Sequence, residues 1–200
     1  MKLYYSKGSC ALAVRITINE LKLACEYEAV NLKDKTTASG KNYLAINPKG
    51  AVPVLALDNG TLLTENVAIQ IYLAEHFKAH NLLPAPEDFN RYRILEWLAF
   101  ITSDVHKSYG PLFSQDVPQD IKDSIFIPLL KKKFNFIETQ LTGKDYLMGD
   151  HYTLPDGYLF VMLTWLAHVK LDLAQWPAIT AYYQRLQQRS AIQKSLADGG

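Results

Sequence analysis

The chemistry this sequence can offer begins with Cys10, which follows Gly8-Ser9 where a first helix should start. Unpaired backbone N–H groups and the helix dipole favour a thiolate at such a position, lowering a cysteine from its free value near ~8.5. A cysteine packed as a small hydrophobe would instead be inert, and the local residues leave both readings open. Cys25 lies in an apolar stretch entering a strand and reads as packing. Thr64-Glu65-Asn66, ahead of Val67-Ala68-Ile69, marks a second helix start. Its backbone donors suit an anionic group, or simply a cap. His106-Lys107 follows an apolar stripe and reads as a pair of cations at a helix end, where the dipole favours them. His76 and His80 share a helical face at metal-ligand spacing but lack a third ligand, so no metal site is read there. Lys131-Lys132-Lys133 reads as a solvated face. No Walker loop, dinucleotide fingerprint, zinc-protease helix or Cys-x-x-Cys pair is present. Thiol chemistry is what remains.

The elements that must position these residues alternate at first. Lys2 to Ser6 is a β-prone run, Ala11 to Leu23 has apolar residues at helical spacing, and Tyr27 to Leu32 reads as strand. After a polar loop from Lys33 to Lys41 come Val52 to Leu57, the turn Asp58-Asn59-Gly60, and Thr61 to Leu63, with Asn-Gly favouring a tight hairpin. Pro53 inside that third strand would remove a ladder donor, so an exposed backbone edge is expected there. A helix from Asn66 to about His76 closes the module. A parallel crossover, an antiparallel hairpin and a last helix make an α+β domain of thioredoxin-like order, placed at 1–78. The proline-punctuated Leu82-Leu83-Pro84-Ala85-Pro86 lies in a linker placed at 79–88. Beyond it, 89–200 reads as an all-α bundle. Arg91 to Tyr109 carries Leu95, Leu98, Ile101 and Val105 on one stripe, and Ile125 to Leu141 and Tyr158 to Val169 behave similarly.

Composition excludes several classes of partner. Over 200 residues, 48% hydrophobic and 20% charged side chains suffice for buried cores, and a net charge of +1 provides no field to recruit nucleic acid or an anionic membrane. No apolar run approaches the roughly 20 residues of a membrane span, and the first residues make no signal peptide. Two cysteines are too few for a secreted disulfide framework, so the chain reads as cytoplasmic with both thiols reduced.

Taken together, Met1-Lys2-Leu3-Tyr4-Tyr5 with Gly8-Ser9-Cys10, then Asn47-Pro48-Lys49-Gly50-Ala51-Val52-Pro53, then Thr64-Glu65-Asn66, form a pattern that resembles the bacterial beta-class glutathione transferases. It continues through Glu96-Trp97-Leu98, Ser103-Asp104-Val105-His106-Lys107 and Gly149-Asp150-His151-Tyr152-Thr153-Leu154-Pro155-Asp156. The resemblance implies an enzyme that takes glutathione as co-substrate, needs no other cofactor or metal, and conjugates it to hydrophobic electrophiles. It also allows thiol-disulfide exchange through a mixed disulfide at Cys10. The alternative is a non-catalytic ligand-binding or protein-interaction member of the same fold. By resemblance the catalytic residues are Cys10, His106 and Lys107. Val52-Pro53 should be cis and present Val52 to the cysteinyl unit of glutathione. Glu65 and Asn66 should receive its γ-glutamyl end, and Lys35 should attract its glycyl carboxylate. Ser103 and Asp104 should complete the site from a neighbouring subunit, in a homodimer to which the aromatic Trp97 and Phe100 helix contributes.

The electrophile pocket should draw on Tyr109, Phe113 and Trp165. Thr153 and Asp156 should cap a buried helix, a role in folding rather than catalysis. Ala11 stands where some members carry Ser, Ala99 where some carry Asn, and Pro155 where Ala is frequent. The first two remove polar contacts near the site. Pro155 costs little in a first helical turn.

Overall fold

The computed structural model describes residues 1–199. By contact the chain divides into two compact units, one of Met1–His80 with the segment from Arg189 onward, the other of Asn81–Gln188.

The first unit is built on a five-stranded sheet of order β3-β2-β1-β4-β5. Strand β1 (Lys2–Tyr5) runs parallel to β2 (Glu26–Asn31) across helix α1 (Ala11–Glu20), and antiparallel to β4 (Val54–Ala56), which pairs with β5 (Leu62–Thr64). The period of two along a strand divides the core. Leu3 and its partner Leu55 face Val14, Ile18, Ile69 and Leu73, whereas Tyr4 and its partner Val54 face Val30 and Tyr43. Helix α2 (Asn66–His76) thus shares the Leu3 face with α1.

Three points of the sheet bear on the sequence reading. Pairing in β4 starts at Val54, after Pro53, because a residue without an N–H cannot join the ladder, so the backbone at Val52-Pro53 lies outside the sheet pairing. The polar loop contains a short edge strand, β3 (Thr36–Thr37), antiparallel to β2. The hairpin turns on Asp58-Asn59-Gly60, as expected. Gly60 N–H reaches Leu57 O at 2.9 Å and Leu57 N–H reaches Thr61 O at 2.9 Å, with Gly60 at φ +83° supplying the left-handed residue that closes a three-residue loop.

Helix α9 (Ser190–Ala197) also belongs with the first unit, although the sequence reading kept 89–200 together as a helical domain. Its interactions explain why. Arg189 grips Glu20 with Nε and Nη2 at 2.7 and 2.9 Å, Asn19 Nδ2 donates to Ser195 Oγ at 2.8 Å, and Arg15 donates to the carbonyl of Asp198. Covered by the sheet, α2 and α9, helix α1 is buried from Ala11 through Ile18. The Arg15 guanidinium lies 4.2 and 4.0 Å from the ring centres of Tyr5 and Tyr27.

The second unit is helical. Helix α3 (Asn90–Phe100) passes through a π-helical turn at Ile101–His106 into α4 (Lys107–Phe113), and α5 (Gln119–Ile121) leads through a second such turn into α6 (Ile127–Leu141). Helix α7 (Leu154–Thr164) is buried from Leu154 through Leu163, and α8 (Pro177–Gln187) packs on α6 and α7. Thr153 and Asp156 cap α7 as expected: Thr153 N–H donates to Asp156 Oδ2 at 2.7 Å. The carboxylate of Glu138 in turn caps α8, accepting from Ala178 and Ile179 N–H at 2.9 Å each. Among the described residues no helix is long and apolar enough to cross a membrane.

Candidate functional site

In the first unit the sequence from Asn47 to Pro53 must leave the 3₁₀ turn at Tyr43–Ala45 and return to the sheet, and it does so on a fixed path. The carbonyl of Ala51 accepts from Tyr43 Oη at 2.8 Å and from Asn47 Nδ2 at 2.7 Å. Gly50 sits at φ +62°, and a Cβ there would meet Leu44 Cδ2 and the Lys35 Cε and Nζ at 3.2 Å, so glycine suits both conformation and space. Lys35 Nζ donates to Gly50 O at 2.8 Å. Lys35 therefore holds this loop, with two of its three ammonium hydrogens left for a further acceptor. Val52-Pro53 is cis.

Cys10 occupies the N-cap position of α1, its Sγ 3.6 Å from Val52 O. At that distance the sulfur faces the carbonyl as a thiol donor. Ser9 shares the capping of α1: its Oγ accepts from Ala11 N–H at 3.3 Å and its carbonyl from Leu12 N–H at 3.2 Å. Ala11 is wholly buried, so a hydroxyl at this position would enter the core.

Glu65, the N-cap residue of α2, has φ +73° and ψ +124°, a conformation that L-residues rarely adopt and that collects at ligand sites. It makes no side-chain cap bond. Its exposed carboxylate instead pairs with Lys49 Nζ at 2.6 Å, and Lys49 also reaches Thr64 Oγ1 at 3.1 Å. Exposed as it is, the pair adds little to stability but keeps both groups at the start of α2. Asn66 is buried; its Nδ2 donates to Cys10 O, and its Oδ1 accepts from Gln70 Nε2. The structure therefore brings Cys10, Val52 and Asn66 together, with Glu65 next in sequence.

In the second unit, the π-helical turn carries Ser103, Asp104 and His106. Such turns widen the helix by one residue and occur often at functional sites. Because the helical run continues to Phe113, His106 and Lys107 are not at a helix end, which corrects the reading of them as dipole-favoured cations. His106 Nδ1 lies 2.7 Å from Tyr158 Oη, with the Tyr158 and Trp165 rings edge-on. Burial, reinforced by the neighbouring Lys107 charge, lowers His106 to about 4, so the imidazole is neutral at physiological pH. Lys107 is exposed.

The Ser103 hydroxyl lies 2.9 Å from Ala99 O and 2.7 Å from Asp104 Oδ2, and its one hydrogen can go to either. Lys133 was missed. Its Nζ donates to Asp104 O at 2.9 Å and Ser108 Oγ at 2.8 Å and lies 3.7 Å from the Asp104 carboxylate, so it ties α6 to the π-helical turn rather than facing solvent. A lysine run offers no local signal for this. Tyr158 was likewise read only as part of a helical stripe.

Of the three expected pocket residues, Tyr109 is wholly buried, its hydroxyl donating to Met162 O at 2.7 Å. It presents no surface to a ligand and belongs to the core. Trp165 is nearly buried between Tyr109 and Phe113, and Phe113 is exposed. A groove of about 690 Å³ lies elsewhere in this unit, lined by Trp97, Phe100, Phe136 and Met148 with Arg93 and Lys144 at its polar side. His76 stacks on Tyr72, and among the described residues no group of three or more His, Cys, Asp or Glu is placed to hold a metal ion.

Known proteins are similar to this chain along its whole length. Residues 3–81 match the family described as "Glutathione S-transferase, N-terminal domain", and residues 127–190 match "Glutathione S-transferase, C-terminal domain". The chain is 39% identical over 200 residues to "Glutathione S-transferase GstA" of Escherichia coli O157:H7, covering 100% of this chain and 99% of that one. It superposes with a TM-score of 0.95 on a sphingomonad glutathione S-transferase complexed with glutathione, at 38% identity over 100% of this chain and 99% of the other. The same score and coverages hold for the bacterial beta class glutathione S-transferase of Sphingomonas chungbukensis, at 35% identity.

Proposed function

Since the chain belongs to the glutathione S-transferase family, we propose that this transferase binds glutathione on the Cys10, Val52 and Glu65-Asn66 face of its first unit and conjugates it to hydrophobic electrophiles. The observation that carries this is the start of α2: Glu65 holds a strained backbone without capping the helix. The first-turn N–H groups of α2 are thereby offered to an anionic group such as the γ-glutamyl carboxylate. The Val52 backbone supplies donor and acceptor to a cysteinyl unit laid alongside, in the manner of an added strand. Lys35 supports the glycyl carboxylate. His106, Lys107, Ser103 and Asp104 enter on the family pattern, the last two across a homodimer to which the Trp97 and Phe100 groove contributes. On this reading His106 acts as a neutral imidazole, donating or accepting at Nε2. The cytoplasm is its compartment, where glutathione is abundant and thiols stay reduced.

Thiol exchange belongs to the same reading. The Cys10 thiolate attacks the glutathione sulfur of a mixed disulfide between glutathione and another thiol, the S–S bond breaks, and the expelled thiolate takes a proton. A second glutathione thiolate then attacks the glutathione sulfur of the Cys10-glutathione disulfide, so that glutathione disulfide forms and the Cys10 thiolate leaves. Retention on immobilised glutathione and turnover of a chlorinated nitrobenzene test conjugation. Cys10→Ala should abolish exchange and the covalent adduct seen by intact mass, while leaving part of the conjugation. Failure of the wild-type protein to bind glutathione would refute the proposal.

A further inference from the structure

We infer that Gln70, with Thr17 behind it, is a positioning residue for the Cys10 thiol and acts through the side chain of Asn66. Gln70, Asn66 and Cys10 form one directed chain inside the first unit, and the Thr17 hydroxyl at its far end lies within reach of both Ala13 O, at 3.1 Å, and Gln70 Oε1. Thr17 Oγ1 lies 3.2 Å from Gln70 Oε1, Gln70 Nε2 donates to Asn66 Oδ1, and Asn66 Nδ2 donates to Cys10 O. Gln70 is wholly buried, and Thr17 and Asn66 are nearly so.

Each amide has one workable orientation here. Turning Asn66 over would set its Oδ1 against the Cys10 carbonyl and its Nδ2 against the Gln70 N–H group, leaving two buried groups facing their own kind. The direction from Gln70 through Asn66 to Cys10 is therefore determined, and donors polarised in sequence strengthen the last bond. That bond ends on the residue carrying the thiol. Cys10 O also accepts Ala13 N–H at 3.1 Å, while Sγ faces Val52 O, so the backbone of Cys10 is held from α1, α2 and the Pro53 loop at once.

Two consequences follow. The Asn66 side chain is committed within the protein, so only its backbone is open to a ligand. The amide hydrogen from Asn66 also offsets negative charge on the carbonyl of the residue that carries the thiol, so its loss should slow any reaction that needs the thiolate. A purely structural network would affect the whole unit alike, and Cys25 provides the control. It is partly buried against the same core cluster of Leu3, Val14 and Ile18, outside this chain of bonds.

The inference rests on the proposed function only in taking Cys10 as the reactive thiol. The test is alkylation of the reduced full-length protein by iodoacetamide, with rates at Cys10 and Cys25 read separately by peptide mass spectrometry between pH 5 and 9. Gln70→Leu should slow Cys10 about fivefold at pH 7, the worth of one hydrogen bond, with Cys25 within about twofold of wild type. Gln70→Glu should resemble wild type at the acid end, where the protonated carboxyl donates to Asn66 Oδ1, and fall to the Gln70→Leu rate as it ionises. Thr17→Val, a gentler change should Gln70→Leu fail to fold, should slow Cys10 alone, and Thr17→Ser should restore it. An unchanged or faster Cys10, or a Cys10 that moves in step with Cys25, overturns the inference. Glutathione affinity measured separately on the wild-type protein decides the proposed function, whichever way alkylation falls.

Discussion

Replacing Asp156 by alanine should cost the second unit about 4 kcal/mol, on the following count of donors. Asp156 is wholly buried. Its Oδ2 accepts from Thr153 N–H at 2.7 Å and Thr153 Oγ1 at 3.0 Å, and its Oδ1 accepts from Leu147 N–H and Tyr182 Oη at 2.9 Å each. The Tyr182 hydroxyl can turn to the Asp156 carbonyl, 3.5 Å away, so it contributes little to the loss. Two backbone N–H groups cannot turn, and each stranded buried donor costs about 2 kcal/mol. Asparagine has one carbonyl oxygen in place of two carboxylate oxygens. It can satisfy one of those N–H groups while its amide donates to the hydroxyl beside the other, so Asp156→Asn should cost about half as much. Urea unfolding followed by tryptophan fluorescence reads this directly, because Trp97, Trp165 and Trp176 all lie in the second unit. Protein concentration is held constant so that subunit association does not enter the comparison. A loss below about 1 kcal/mol for Asp156→Ala, or equal losses for the two variants, would refute this account of the cap.

Three further outcomes are expected. The His106 imidazole should titrate by NMR with a midpoint of about 4. Because the unfolded chain takes up that proton from about 6.5 downward while the fold resists, this group's contribution to stability should fall below pH 6.5 and level off below 4, a slope that His106→Gln removes. Glu28 is held down to about 2, chiefly by the Ser39 hydroxyl, with Thr37 and Lys2 adding to it against burial. Its stabilisation should be complete above about 4.5 and disappear as pH falls through 2, so Glu28→Gln should flatten the acid limb of a thermal-midpoint profile. Lys22 and Lys78 occupy left-handed positions, φ +54° and +53°, just past α1 and α2. In each case the next N–H bonds five residues back, Leu23 to Ile18 O and Ala79 to Ala74 O. Glycine at either position should raise stability by about 0.5–1 kcal/mol by relieving the Cβ strain. A calorimetric midpoint that stays or drops would contradict that.

What the sequence determined by itself is short in range. The β-α-β order, the hairpin at Asn59-Gly60 and the Thr153-Asp156 cap each depend on residues within a few positions of one another, and the structure contains all of them. Cys10 at a helix start and Glu65-Asn66 at another were legible for the same reason, since a helix end is written in its own first turn. Tertiary structure decided the rest, because it depends on residues far apart in the chain. Helix α9 joins the first unit through Glu20, Asn19 and Arg15, more than 160 positions away. Lys133 reads from the sequence as part of a solvated face and is by contact a clamp on Asp104. His106 is neutral because Tyr158 and Trp165 enclose it, and Tyr109 is lost to the pocket because Met162 takes its hydroxyl. A local pattern states which groups are offered, but burial and a distant partner decide their charge, orientation and access to a ligand, and neither is a property of neighbouring residues.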